Sequence, residues 1–85
     1  MAYNNPSAGI GFNFIRGSAT ITAGDTFVDV SVPNIPPERY TVLVVPTISL
    51  SALWFVSNKT STSFRINLTT AQSLDITFDY VIIYQ

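Results

Sequence analysis

Three segments of this chain are apolar at successive positions. They are Tyr40-Thr41-Val42-Leu43-Val44-Val45, Leu53-Trp54-Phe55-Val56 and Tyr80-Val81-Ile82-Ile83-Tyr84. Successive side chains of a β-strand point to opposite faces. Burying one face therefore requires only alternate apolar residues, and these segments are apolar on both. A chain of 85 residues has little core to cover the second face. Another copy of the same chain is the cover this pattern predicts.

Alternation and turn residues predict six strands. The first covers residues 18–22, and Ala23-Gly24-Asp25 turns the chain. The second covers 26–32, with Val28, Val30 and Val32 on one face and Phe27, Asp29 and Ser31 on the other. The segment Pro33-Asn34-Ile35-Pro36-Pro37-Glu38 is a stiff connection, because its prolines lack the N–H of a sheet ladder. The third, fourth and fifth strands cover 39–46, 53–57 and 63–68. In the fifth, Phe64, Ile66 and Leu68 alternate with Ser63, Arg65 and Asn67. The sixth covers 74–84, with Leu74, Ile76, Phe78, Tyr80, Ile82 and Tyr84 on one face. No stretch of helical period competes. The expected fold is all-β, a six-stranded antiparallel β-sandwich.

Residues 1–16 read differently. Asn4, Asn5, Pro6, Ser7, Gly9, Gly11 and Asn13 break regular structure, while Ile10, Phe12, Phe14 and Ile15 are apolar. Four bulky apolar residues are too many for a solvated tail. The expected organisation is an extended N-terminal arm over 1–16, docked on a neighbour or on its own sheet, followed by a sandwich domain over 17–85.

Charge and composition reinforce the need for a partner. Charged residues make up 11% of the chain, well under the roughly 25% usual for soluble domains. Interface cores are depleted of charge in the same way. With no Cys and no His, disulfides, thiolate metal sites and imidazole metal sites are excluded, and oligomerisation remains as the means of stabilising a small domain. No cofactor is expected. The four cations, Arg16, Arg39, Lys59 and Arg65, are scattered, which argues against phosphate neutralisation and nucleic-acid binding. Neither a basic leader with an apolar stretch nor a run approaching the ~20 apolar residues of a transmembrane helix is present, so no membrane partner is expected and synthesis in a cytosol is.

Candidate chemistry is sparse. Ser–His and Cys–His nucleophilic arrangements lack their base. A Ser–Lys pair would depend on Lys59, in a loop. Asp75 and Asp79 on one strand face would stand roughly 13 Å apart at ~3.3 Å per residue, beyond the ~5 to 9.5 Å of glycosidase acid pairs. Gly9-Ile10-Gly11 lacks the strand and helix that frame a phosphate loop. The chain is therefore not expected to be an enzyme. If the fifth and sixth strands form a hairpin, Arg65 lies diagonal to Asp75 and Asp79, either as a polar ligand site or as a register-setting charge cluster. Asn58, Lys59, Arg65 and Asp79 are the candidate ligand-binding residues. Trp54 reads as a core or interface anchor, with sugar stacking as the alternative. Alternation places Trp54 and Phe55 on opposite faces. The expected subunit interface comprises Ile10, Phe12, Phe14, Leu43, Val45, Trp54, Phe55, Val81 and Ile83.

From Gly17 onward the chain resembles a small β-domain found at the ends of tailed-phage tail and appendage proteins. The matching pieces are Gly17-Ser18-Ala19-Thr20-Ile21-Thr22-Ala23-Gly24, Val28-Asp29-Val30, residues 42–47, and Ile76-Thr77-Phe78-Asp79-Tyr80. The most specific piece is Trp54-Phe55-Val56-Ser57-Asn58-Lys59-Thr60-Ser61-Thr62-Ser63-Phe64. The outline is similar to the H-type lectins, a resemblance that implies a six-stranded antiparallel sandwich assembled as a homotrimer. The likeness to the phage domains implies a structural virion protein of a tailed bacteriophage, a capsid decoration or tail adaptor/fibre subunit. Its expected partners are its own copies and other virion proteins, and its location is the virion after synthesis in the host cytoplasm. The alternative implied by the lectin likeness is a carbohydrate-binding module that attaches to a host-surface glycan. The sugar-binding set of those lectins has no full match here.

Overall fold

The computed structural model describes residues 12–85. Six strands run in chain order: β1 (Asn13–Ile21), β2 (Phe27–Ser31), β3 (Tyr40–Pro46), β4 (Trp54–Ser57), β5 (Ser63–Leu68) and β6 (Ile76–Tyr84). They form two three-stranded antiparallel sheets, β1-β6-β3 and β2-β5-β4, packed face to face. We call these sheets A and B. The sandwich is the one the alternation predicts.

The central strands are the two with the cleanest alternation. Phe64, Ile66 and Leu68 of β5 and Ile76, Phe78 and Ile82 of β6 are all buried. Each strand centres its own sheet, and the two face one another across the core. The Phe64 ring meets Tyr80 edge-on, with centroids 5.6 Å apart. Ile21, Val30, Val32, Ile35, Tyr40 and Ala52 complete the core, and no polar or charged side chain is buried among the described residues. Fully burying a Phe or Ile side chain contributes about 1.5–3 kcal/mol.

This arrangement corrects the expected hairpin between the fifth and sixth strands. β5 pairs with β2 and β4, whereas β6 pairs with β1 and β3. The connection between them carries the chain from one sheet to the other. Two strands that each bury a full row of large side chains stabilise one another better as facing layers than as neighbours in one layer. Among the described residues, the only paired strands that follow directly in sequence are β4 and β5.

A second correction concerns the start of the first strand. β1 starts at Asn13, five residues ahead of the expected strand, and pairs with β6 through Asn13↔Tyr84, Phe14↔Ile83, Ile15↔Ile82 and Arg16↔Val81. Residues 13–16 thus belong to sheet A. The sequence hid this because Gly17 interrupts the apolar alternation. The structure explains the glycine: a Cβ there would lie 2.5 Å from the Tyr80 hydroxyl oxygen, because the Tyr80 ring crosses the strand at that point. Ile10 and the rest of the expected arm before Phe12 lie outside the described residues. Leu74, expected in the sixth strand, precedes it and is exposed.

Loop chemistry positions the strands. Gly24 takes φ +87° in the turn after β1, where the Asp25 N–H donates to the Thr22 carbonyl at 2.9 Å. The Ala23 N–H donates to Asp75 Oδ1 at 2.8 Å and ties that turn to the start of β6. A short 3-10 turn, Pro37–Arg39, delivers the chain to β3. The Tyr40 hydroxyl donates to the Thr60 carbonyl at 2.6 Å, joining β3 to the β4–β5 hairpin. Burial raises the Tyr40 pKa above its ordinary 10.0.

Candidate functional site

Each sheet turns one face to the core and one outward, and the two outward faces differ. On sheet A, strand register sets out three rows. They are Phe14–Ile83–Thr41, Arg16–Val81–Leu43 and Ser18–Asp79–Val45. Phe14 is 63% exposed, Leu43 53% and Val45 61%. Five of the residues expected at a subunit interface, Phe14, Leu43, Val45, Val81 and Ile83, therefore share one face. Val45, Leu43 and Val81 line a shallow depression of about 610 Å³, rimmed by Arg16, Ser18 and Asp79. Arg16 and Asp79 are diagonal neighbours here. Nonetheless the one ion pair among the described residues is elsewhere, between Arg65 and Asp29.

On sheet B the outward rows are Phe27–Asn67–Phe55 and Asp29–Arg65–Ser57. Their polar groups satisfy one another. The Arg65 Nε–H donates to Asp29 Oδ1 at 2.8 Å, and its Nη2–H donates to Oδ2 at 3.3 Å. The same guanidinium lies 4.0 Å from the Phe27 ring centroid. The Asn67 amide donates to Ser57 Oγ at 2.8 Å and to the Phe55 carbonyl at 3.2 Å. The hydrogen bond from Arg65 holds the Asp29 carboxyl below its ordinary 3.8, and the same bond raises the Arg65 pKa above its ordinary value. Phe55, an expected interface residue, is on this face and 51% exposed.

Trp54 and Phe55 do point to opposite sides of β4, since Trp54 lies opposite Leu68 and Phe55 opposite Asn67. Trp54 turns inward at the rim of the sandwich. Its ring sits 6.2 Å from Phe78, and its indole N–H donates to the Val44 carbonyl at 3.2 Å. That bond covers the outer edge of β3. Lys59 acts similarly: its ammonium donates to the Tyr40 carbonyl and lies 4.5 Å from the Tyr40 ring centroid. Both side chains close the sandwich along the β3–β4 seam.

The four candidate ligand-binding residues do not converge. Asn58 (φ 51°) and Lys59 belong to the β4–β5 hairpin, Arg65 to the outside of sheet B, and Asp79 to the outside of sheet A. The expected cluster of Arg65 with Asp75 and Asp79 is replaced by the Arg65–Asp29 pair, because β5 and β6 lie in different sheets. Phe12 is exposed just ahead of β1. Sequence reasoning did not single out Phe27, Asp29 or Asn67. The alternation of β2 and β5 placed these residues outward, but nothing local paired strands 36 positions apart.

Among the described residues, no group of three or more Asp or Glu side chains could hold a metal ion. Among the described residues, no helix is long and apolar enough to cross a membrane. Comparison with protein-family models, with curated proteins and with solved structures returned no match.

Proposed function

We propose that this chain is a structural subunit of a tailed-phage particle. In this reading it is a homotrimer that packs on its own copies and on other virion proteins, as a capsid decoration or tail adaptor/fibre subunit. The observation that carries the assembly reading is the outer face of sheet A. Phe14, Leu43 and Val45 stand exposed there around the half-buried Val81 and Ile83. Contiguous apolar surface rimmed by polar residues marks a contact site. The resemblance of residues 54–64 to phage appendage domains suggests the particle, and the likeness of the outline to H-type lectins suggests the three-fold symmetry. The work done is burial and shape matching, without covalent chemistry, in the virion after synthesis in the host cytoplasm.

Light scattering tests the assembly. A specific contact should bury about 1,000 Å² or more, and a trimer mass is expected at micromolar concentration. A monomer mass overturns the reading. Imaging of a particle with the chain labelled tests the location, and absence of the label from the particle removes the virion assignment.

A second reading is a carbohydrate-binding module for a host-surface glycan. The row Phe27–Asn67–Phe55 favours it, because two exposed rings flank an amide on a flat surface. A glycan array separates the two. Binding that is lost in Phe55→Ala supports the sugar reading, and silence across the array supports the structural one.

A further inference from the structure

The two edges of sheet A are treated differently. The β3 edge is covered by Trp54 and Lys59, which hydrogen-bond its carbonyls, and it ends in Pro46. These bonds also reveal the backbone phase. Tyr40 and Val44 point their carbonyls away from β6, so Tyr40↔Tyr84 and Val44↔Tyr80 are pairs without mutual hydrogen bonds. Tyr84 and Tyr80 then direct their backbone groups to β1, where they pair with Asn13 and Gly17. It follows that Phe14, Arg16, Ser18 and Thr20 turn their N–H and C=O groups to the far side of β1. Among the described residues, none of those backbone groups has a hydrogen-bond partner. β1 is nine residues long and contains no proline. A long unprotected edge of this kind is a template for another strand.

We infer that this edge takes β1 of a second copy, antiparallel, about a two-fold axis through Gly17. The register follows from three observations. Gly17 is the midpoint of Asn13–Ile21, so every outward-pointing backbone group finds a counterpart. Arg16 of one copy falls opposite Ser18 of the other, and Phe14 opposite Thr20. An axis through Arg16 would instead set two guanidinium groups face to face, which is destabilising. Finally, Ser18 is paired with Asp79 on β6. The second copy's Arg16 then lies in one row with Ser18 and Asp79, and reaches the Asp79 carboxylate over the small serine. Arg16 and Asp79, unbridged within one chain, become partners between chains. Two sheets A join into one six-stranded sheet, and the contact closes after two copies. It is separate from the outer-face contact proposed above and goes beyond that reading. Alongside a three-fold contact, it links a subunit of one trimer to a subunit of another.

Residue-resolved amide exchange on the full chain tests the contact. The amides of Asn13, Ile15, Gly17, Ala19 and Ile21 are protected by β6 in any case. Those of Phe14, Arg16, Ser18 and Thr20 are expected to slow by about tenfold or more as the copies associate, and to return to fast exchange on dilution. Fast exchange at all concentrations overturns the inference. So does protection that survives dilution but vanishes when residues 1–11 are deleted, since the chain's own N-terminal segment would then occupy the edge. Charge exchange tests the register. Arg16→Asp and Asp79→Arg are each expected to weaken association, and an equal mixture of the two variants to restore it. A mixture no better than either variant overturns the register. Leu43→Lys alters the outer face alone, so a smaller mass in that variant with the alternating exchange pattern intact separates the two contacts.

Discussion

The outward faces of sheets A and B are both built from three antiparallel strands, yet they are finished in opposite ways. On sheet B, Arg65, Asp29, Asn67 and Ser57 hydrogen-bond to one another, and Phe27 lies under the guanidinium. On sheet A, Arg16 and Asp79 are not bridged, and Phe14, Leu43 and Val45 stand open. A face whose polar groups answer each other is complete in water. A face with exposed apolar side chains and unbridged charges is the one we propose to meet another molecule. The difference is one of pairing more than of hydropathy.

The largest expected effect removes both faces together. Phe64→Ala opens a cavity under Tyr80 between the two central strands and should cost about 3–5 kcal/mol, read by denaturant unfolding. A change below about 1 kcal/mol would mean that the core does not hold the two sheets in register. Next comes the comparison itself. Leu43→Lys with Val45→Lys should weaken self-association by at least about tenfold while leaving subunit stability within about 0.5 kcal/mol. The matched change on sheet B, Phe55→Lys, should leave the mass in solution unchanged. Equal losses from both would erase the distinction between the faces.

Trp54→Phe probes the seam. It keeps a ring beside Phe78 but removes the donor to the Val44 carbonyl. The expected loss is about 0.5–1.5 kcal/mol, measured by thermal or chemical unfolding. No loss would show that the β3 edge is covered without the indole.

The smallest effect isolates sheet B. Asp29 has a pKa below 3.8 in the folded chain because Arg65 hydrogen-bonds its carboxylate. A depressed carboxylate pKa favours the fold above the unfolded value, and that contribution is lost as pH falls through the folded pKa. Side-chain titration by NMR should place the Asp29 midpoint under 3.8 and return it toward that value in Arg65→Gln. An unmoved midpoint would mean that the pair is not formed in solution.

Much of the fold could be read along the chain. β5 was legible to the residue, because Phe64, Ile66 and Leu68 alternate without interruption. The two-faced character of β3 and β6 was legible as well, and it marked Leu43, Val45, Val81 and Ile83 before any strand was paired. The start of β1 was not. Gly17 reads as a break in a one-dimensional pattern, whereas in space it is the gap that admits the Tyr80 ring from the neighbouring strand.

The amino-acid sequence by itself determined strand number, strand phase and the surplus of apolar surface, because each depends on local alternation and composition. Tertiary structure alone decided which strands are neighbours. That choice put Arg65 beside Asp29 instead of Asp79, gathered the apolar surplus of β1, β3 and β6 on one face, and left the β1 edge without a partner among the described residues while Trp54 and Lys59 covered β3. The physical reason is that pairing in this fold is mostly non-local. Of the four strand pairings among the described residues, only β4 with β5 joins consecutive strands. The others are selected by how two rows of large side chains fill one core, a property of the packed layers that no single segment contains.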